Sequence, residues 1–366
     1  MVISCAYSLS MSLLKNKVAV ITGAGSGLGR EYAYLLGPRG WISQRNCCVI
    51  HGATPLHRGD AHPRLCPMAI SASKALLRLS SLMVFTQSAI VVTGGAVRIT
   101  GSGLGCSTWP ECTPGSYTPV PHQAEGQLHA WIEFGNRLLT FVLLFTALAV
   151  VIIAFRSSKN AVTKKRVRGL AALQVLGILG QGVLGGITVL TGLHPGTVAA
   201  HFLLSIFLIS GAISLRYEMI GIIKQPPTGL IASLIPIQIW LTLFVIIAGT
   251  IVTGSGPHAG DADAERFGLD PKALSWLHAD LVIALLVLTT ILWLLIKQTS
   301  AKLLSRKIQI FLLISISQGL IGYIQYVTGL PELVVGFHLL GAALVWGSAW
   351  SFVKVAGSGF RLKGFN

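Results

Sequence analysis

Charged residues are scarce in this sequence, and acidic residues are the scarcest. Only 11% of the 366 residues are charged, with 12 Asp or Glu against 28 Lys or Arg. A soluble domain usually carries about 25% charged residues. Because 52% of the residues are hydrophobic and the mean hydropathy is +0.71, the apolar sequence is too extensive for one buried core. This excludes an ordinary soluble protein and favours helices that face lipid.

Eight apolar stretches are each long enough to cross a hydrocarbon layer of about 30 Å as a helix. They lie approximately at residues 76–97, 127–154, 169–191, 198–217, 230–253, 274–297, 308–328 and 333–354. The sequence therefore predicts an all-α integral membrane protein with eight transmembrane helices.

The basic residues are concentrated in alternate loops. Six lie between residues 156 and 168 and four between residues 297 and 307, whereas the loop after the fifth stretch holds four acidic residues. Basic loops on one side of a membrane are the positive-inside pattern. The net charge of +16 therefore indicates topology and not a nucleic-acid partner. It predicts a multi-pass protein of the plasma membrane with both termini in the cytoplasm.

The chain also repeats itself at an offset of 137 residues. The recurring residues include Gln181 and Gln318, Gly182 and Gly319, Gly185 and Gly322, and His201 and His338. Because each copy has four spans, both copies enter the membrane in the same orientation. We predict two tandem four-helix bundles, residues 68–228 and 229–366, related by a pseudo-twofold axis along the membrane normal. The shared glycines would let the helices approach closely.

Residues 1–67 do not share this pattern. Residues 12–41 resemble the truncated start of a short-chain dehydrogenase, since a strand near residues 17–22 leads into Gly23, Gly27 and Gly29. A working nucleotide site needs a complete doubly wound sheet behind such a loop, and here the pattern dissolves after Gly40. We predict that residues 1–67 are a fused fragment or follow a start codon placed too early, and that they are poorly ordered. Met68 would then be the natural beginning.

Three histidines lie within predicted spans: His201 in the fourth, His278 in the sixth and His338 in the eighth. Polar groups in hydrocarbon are costly, so those that remain usually have a function. Imidazoles from the sixth and eighth spans could approach one iron from opposite sides, as a b-type haem between helices requires. The alternative is that each histidine is hydrogen-bonded to a neighbouring helix.

The second span departs from this symmetry. Aligning it on the sixth span places Asn136 opposite His278, and the nearest histidine, His129, lies two turns earlier on the same face. Glu133 and Arg137 share that face. Either His129 replaces the missing ligand, or the iron on this side has one protein ligand. Arg137 could pair with Glu133 or with a haem propionate.

Residues 76–354 resemble the haem A synthase family of the actinobacterial type. The resemblance rests on residues 93–106, 109–112 and 132–137 and on the helices of His278 and His338. Members of that family are membrane oxidoreductases that convert haem O into haem A by oxidising the C8 methyl to a formyl group. The resemblance implies several partners: a haem O synthase (a farnesyltransferase) that supplies substrate, an electron donor, membrane lipid and further copies of the chain.

The resemblance also implies roles for individual residues. His278 and His338 would hold a resident haem b, and His201 would serve the haem O pocket in the N-terminal half. The glutamate of the family's Glu-x-x-His-Arg motif matches Glu133, which would be catalytic, whereas the histidine of that motif is Asn136 here. The two cysteines of an outer loop match Cys106 and Cys112 and imply a disulfide bond or redox activity.

Three other functions are consistent with parts of the sequence. A cytochrome b-type electron-transfer protein would hold haem without modifying it. A transporter built from repeated halves would hold no haem. A nucleotide-dependent dehydrogenase would require residues 1–67 to fold and bind NAD(P).

Overall fold

The structure is a computed structural model that describes residues 18–22, 41–44, 47–51, 66–123, 126–156, 161–222 and 224–357. The chain divides into two compact units, Met1–Pro67 and Met68–Asn366. Each unit is considered by itself below.

The first unit contains three short strands, β1 (Val18–Thr22), β2 (Trp41–Gln44) and β3 (Cys47–His51). They form one antiparallel sheet in the order β1-β3-β2. The strand expected near residues 17–22 is therefore present, and strands occur where the sequence predicted little order. The short-chain dehydrogenase resemblance gains no support, because a doubly wound nucleotide-binding sheet is built from parallel strands. Gly23, Gly27 and Gly29 lie outside the described residues.

The second unit contains eight long helices in the described part of the chain. They are α1 (Cys66–Ile99), α2 (Gln127–Arg156), α3 (Ala161–Leu190), α4 (Pro195–Ile220), α5 (Gly229–Ser255), α6 (Pro271–Lys297), α7 (Lys302–Val327) and α8 (Glu332–Ala356). All eight are long and apolar enough to cross a membrane. The predicted all-helical, eight-span membrane fold is confirmed for this unit, with α1 beginning earlier than the predicted span.

The outer surfaces of the helices are apolar, as lipid requires. Phe145 and Leu176 are each 66% exposed, and Leu313 and Leu320 are also exposed. Such surfaces would favour aggregation in water, whereas hydrocarbon solvates them. A helix satisfies its backbone hydrogen bonds within itself, which is why this sequence can cross the bilayer at all.

The last four helices form a ring. Helices α6 and α8 each pack against both α5 and α7, and within the described residues α6 and α8 are not close neighbours of each other. These two helices are therefore diagonal across a four-helix bundle. The predicted pseudo-twofold axis between the two halves remains a prediction.

Helix α4 joins the first half to the second. Of its most apolar 18-residue window 56% is buried, against 11% for α7, and it packs against α3, α5 and α8. The indole N–H groups of Trp346 and Trp350 on α8 donate to Ser210 Oγ and Ser214 Oγ on α4 at 2.7 and 2.9 Å. Because hydrocarbon offers an indole no other acceptor, these bonds fix how α4 and α8 pack.

Candidate functional site

Each intramembrane histidine ring lies against a glycine of the preceding helix. A Cβ atom added at Gly185 would lie 3.3 Å from Cε1 of His201, one at Gly249 would lie 3.2 Å from Cε1 of His278, and one at Gly322 would lie 3.1 Å from Cε1 of His338. Contacts this short are tighter than a side chain usually accepts. The glycines therefore give each ring its position between helices.

The ring nitrogens of these three histidines are not used within the protein. In each ring Nδ1 is buried and has no hydrogen-bond partner. No hydrogen bond involves Nε2 of these rings within the described residues, and Nε2 is not among the buried unpaired atoms, so it retains access to open space. A buried polar group without a partner calls for an explanation. Hydrogen bonding to a neighbouring helix, the alternative raised by the sequence, does not occur at these rings.

The backbone at two of the histidines is held in the same way. Gln181 on α3 donates from Nε2 to the carbonyl of His201 at 3.0 Å, and Gln318 on α7 donates to the carbonyl of His338 at 2.8 Å. In both glutamines Oε1 is buried without a partner. The repeat of 137 residues therefore preserves a contact as well as a sequence pattern.

His278 and His338 lie on the two diagonal helices of the second half. Helices α6 and α8 face each other across the bundle interior, and the two rings are near enough to interact electrostatically. Two imidazoles brought in from opposite sides of a bundle are the arrangement that a haem between helices needs.

In the first half, Asn136 takes the corresponding place. A Cβ atom added at Gly94 on α1 would lie 3.8 Å from Nδ2 of Asn136, as Gly249 faces His278. The amide Oδ1 of Asn136 accepts a hydrogen bond of 2.8 Å from Thr93 Oγ1. The side chain is therefore already paired, and an amide is a weak ligand for haem iron.

His129 has different neighbours from Asn136. Its Nδ1 is 2.8 Å from Ser102 Oγ, which is itself 2.8 Å from Thr100 Oγ1. These hydroxyls belong to the loop after α1, so the structure places His129 where that loop meets the start of α2. The suggestion that His129 replaces the missing ligand gains nothing from this position.

Glu133 and Arg137 together hold the loop after α1. Glu133 is buried; its Oε1 accepts from Arg137 Nη2 at 2.7 Å and its Oε2 accepts from the backbone N–H of Cys106 at 2.6 Å. Arg137 also donates to the carbonyls of Cys106, Thr108 and Glu111 at 3.0 to 3.1 Å. Of the two partners considered for Arg137, the structure contains Glu133.

Cys106 and Cys112 are joined by a disulfide bond within this same loop, and both are fully buried. The Glu133–Arg137 pair therefore connects the second helix to a cross-linked cap. Sequence reasoning found the four residues but not their contacts, because the partners are backbone groups that carry no sequence signal.

The glycines of the cradle were only partly anticipated. Gly185 and Gly322 belong to the repeat and face histidine rings, whereas a Cβ atom at Gly182 would meet nothing within 4 Å and one at Gly319 only Val282 at 3.9 Å. Gly94 and Gly249 were missed because they lie on the first helix of each half, outside the repeated Gln-Gly segment.

These features define a class of protein: a multi-pass helical membrane protein with imidazoles paired across a bundle interior. Residues 76–262 match the family described as cytochrome oxidase assembly protein, and the chain belongs to that family.

Individual relatives agree with this assignment. The chain is 30% identical over 204 residues to a haem A synthase of Methylobacterium radiotolerans, covering 47% of this chain and 54% of the relative. It is 29% identical over 133 residues to one of Bacillus pumilus, covering 36% and 41%, and 32% identical over 130 residues to one of Shouchella clausii, covering 35% and 40%. The chain thus matches about half or less of the length of these relatives.

Proposed function

We propose that this protein is a haem A synthase, an oxidoreductase that oxidises the C8 methyl of haem O to the formyl group of haem A. The observation that carries the proposal is the set of three intramembrane histidines, each seated against a glycine with its ring nitrogens unpaired. Family membership and the names of the relatives point to the same activity.

The residues of the second half fit a haem b. His278 and His338 lie on diagonal helices, and the glycines opposite them leave no side chain between ring and neighbouring helix. Buried imidazoles of this kind are the usual axial ligands of a low-spin haem. Haem iron, when bound, supplies redox chemistry that protein side chains lack.

The first half is the proposed haem O side. His201 would be its one protein ligand, because Asn136 is engaged by Thr93. The opposite side of the substrate would then stay open to a small molecule. This assignment separates a half that retains its haem from a half that exchanges it.

Glu133 is the proposed catalytic residue of the first half, with a proton held at its carboxylate near the reacting substituent. Its present partners are Arg137 and the N–H of Cys106. A carboxylate that is also an anchor can move a proton only if one of these bonds lengthens, which couples the disulfide loop to the chemistry.

The setting follows from the family and the charge pattern. We propose a plasma-membrane location with both termini in the cytoplasm, supply of haem O by a farnesyltransferase-type haem O synthase, an external electron donor, and assembly with further copies of the chain. The pseudo-twofold relation between residues 68–228 and 229–366 belongs to the same proposal.

The direct test is the pigment content of the purified protein. Protein from cells that make haem O is extracted, and its haems are separated and identified by mass. We expect haem b together with haem O and haem A. A preparation that holds haem b but never yields haem A contradicts the proposal.

One observation favours a second candidate, a membrane cytochrome b-type electron-transfer protein. Asn136 stands where the family motif has histidine, so the first half departs from the usual ligand set. This candidate predicts haem b at His278 and His338 and no conversion of added haem O.

A further inference from the structure

A groove lies between α1, α4, α7 and α8, away from the histidines. It encloses about 910 Å³ and is lined by residues from all four helices, none of which is histidine, cysteine or methionine. Its walls are formed by the contact between the first half and the second. Nothing in the proposed reaction uses it.

The groove changes character along its length. Arg216 and Lys307 line one end, and the residues seven positions further into the membrane on the same helices, Ile209 and Ile314, line the other. On α8 the same step leads from Ser351 to Leu344. Seven residues of helix rise about 10 Å. The groove is therefore cationic and polar at its mouth and apolar about 10 Å deeper.

The two cations at the mouth have no acidic partner. Arg216 donates from Nε to Ser81 Oγ at 3.0 Å, and within the described residues its two Nη groups have no hydrogen bond or ion pair. Lys307 Nζ lies 5.6 Å from the centre of the Tyr217 ring. The nearby carboxylate of Glu218 faces Arg166 instead, at 3.7 Å.

The mouth opens at the end of the bundle that carries the basic loops. Arg216 lies in the last two turns of α4, and Lys307 lies in the second turn of α7, after the loop that joins α6 to α7. The positive-inside pattern assigns this end to the cytoplasmic leaflet, where anionic lipids are concentrated. Basic pockets between helices on that side are suited to anionic head groups.

We propose that this groove binds one anionic phospholipid, with its phosphate between Arg216 and Lys307 and the upper part of an acyl chain along Ile209, Ile314 and Leu344. Charge complementarity selects the head group, and the apolar depth selects a lipid over a soluble phosphate. A lipid held here would stabilise the contact between the two halves.

The test measures lipid binding to the full-length, haem-loaded protein. Phosphatidylglycerol and phosphatidylcholine are titrated separately into detergent-solubilised protein, and bound lipid is counted by native mass spectrometry. We expect one preferential phosphatidylglycerol per chain. The double variant Arg216→Gln/Lys307→Gln should lower that affinity about 30-fold, which corresponds to about 1 kcal/mol for each cation.

The matched control removes two equal charges from the same end of the bundle. Lys302 and Arg306 are exposed and do not line the groove, so Lys302→Gln/Arg306→Gln should retain binding. The charge-keeping pair Arg216→Lys/Lys307→Arg should also retain it, and this variant remains informative if the glutamine pair fails to fold.

Three results would overturn the proposal. These are equal binding of phosphatidylcholine, an equal loss of binding in both glutamine pairs, and a loss of haem, not lipid, in Arg216→Gln/Lys307→Gln. The last result would assign the groove to a porphyrin. None of them bears on haem A formation, which is measured separately from pigment extracts.

Discussion

The two halves of the membrane unit use the same construction and differ at one ligand position. In both halves a glutamine holds the carbonyl of a histidine, and that histidine faces a glycine. The second half adds His278 on the diagonal helix, whereas the first half has Asn136 hydrogen-bonded to Thr93. The first half alone has a disulfide-linked loop, anchored by Glu133 and Arg137.

The difference indicates how one frame can serve two purposes. Two imidazoles would saturate an iron and keep it, which suits a resident cofactor. One imidazole and an occupied amide would leave a coordination position open, which suits a substrate that must react and depart. The comparison can be broken or sharpened by changing one half toward the other.

The largest effect is expected from removing a ligand of the second half. His278→Ala should abolish the low-spin b-type absorbance, because one axial ligand cannot maintain that spin state. The measurement is the reduced-minus-oxidised spectrum of purified protein. The exposed His122 supplies the control, since His122→Ala should leave the spectrum unchanged; retention of the signal in His278→Ala would remove the ligand assignment.

Neutralising the anchor of the first half should come next. Glu133→Gln should lower haem A formation about 100-fold if the carboxylate moves a proton, while the haem b spectrum stays intact. Arg137→Gln breaks the same ion pair without touching the carboxylate. If the two variants lose activity equally, the pair only positions the loop, and the proton-transfer role is wrong.

A gain of ligand should have a smaller effect. Asn136→His should give the first half two imidazoles, and we expect a second low-spin haem signal with slower release of haem. Asn136→Leu is the control of similar size without a ligand atom. An electron paramagnetic resonance spectrum of Asn136→His that equals that of the parent protein would show that the two diagonal positions are not equivalent.

The smallest effect is expected from closing a glycine cradle. Gly322→Ala places a Cβ atom 3.1 Å from the His338 ring, and such overpacking typically costs about 1–3 kcal/mol. Haem b occupancy and the midpoint of thermal unfolding should both fall. Gly319→Ala, whose nearest contact is 3.9 Å, should change neither, and equal losses in both variants would argue against a cradle.

The fold was largely predictable because hydrocarbon imposes a simple rule. A stretch of about 20 apolar residues must form a helix, and all eight stretches did so. The N-terminal 67 residues lacked that constraint, and the antiparallel pairing of β1, β2 and β3 carried no comparable signal.

The candidate site was predictable as a set of residues and not as a set of contacts. His201, His278 and His338 were recognisable because polar side chains in lipid are expensive. Ser102 and Gly249 were not, because hydroxyls and glycines are common in membrane helices. Arg137 illustrates the limit: its charge marked it as important, but only the structure shows that it binds carbonyls of the loop at Cys106, Thr108 and Glu111.

The contact of α4 with α8 has an evolutionary consequence. Trp346 bonds to Ser210, and at positions 137 residues away Gly347 lies against Ile209. An interface between identical copies would place the same pair of residues on both sides of the axis. Here a bulky residue faces a small one on each side, but the chemistry differs, so neither half could now assemble with a duplicate of itself. Gene duplication in this protein has become irreversible.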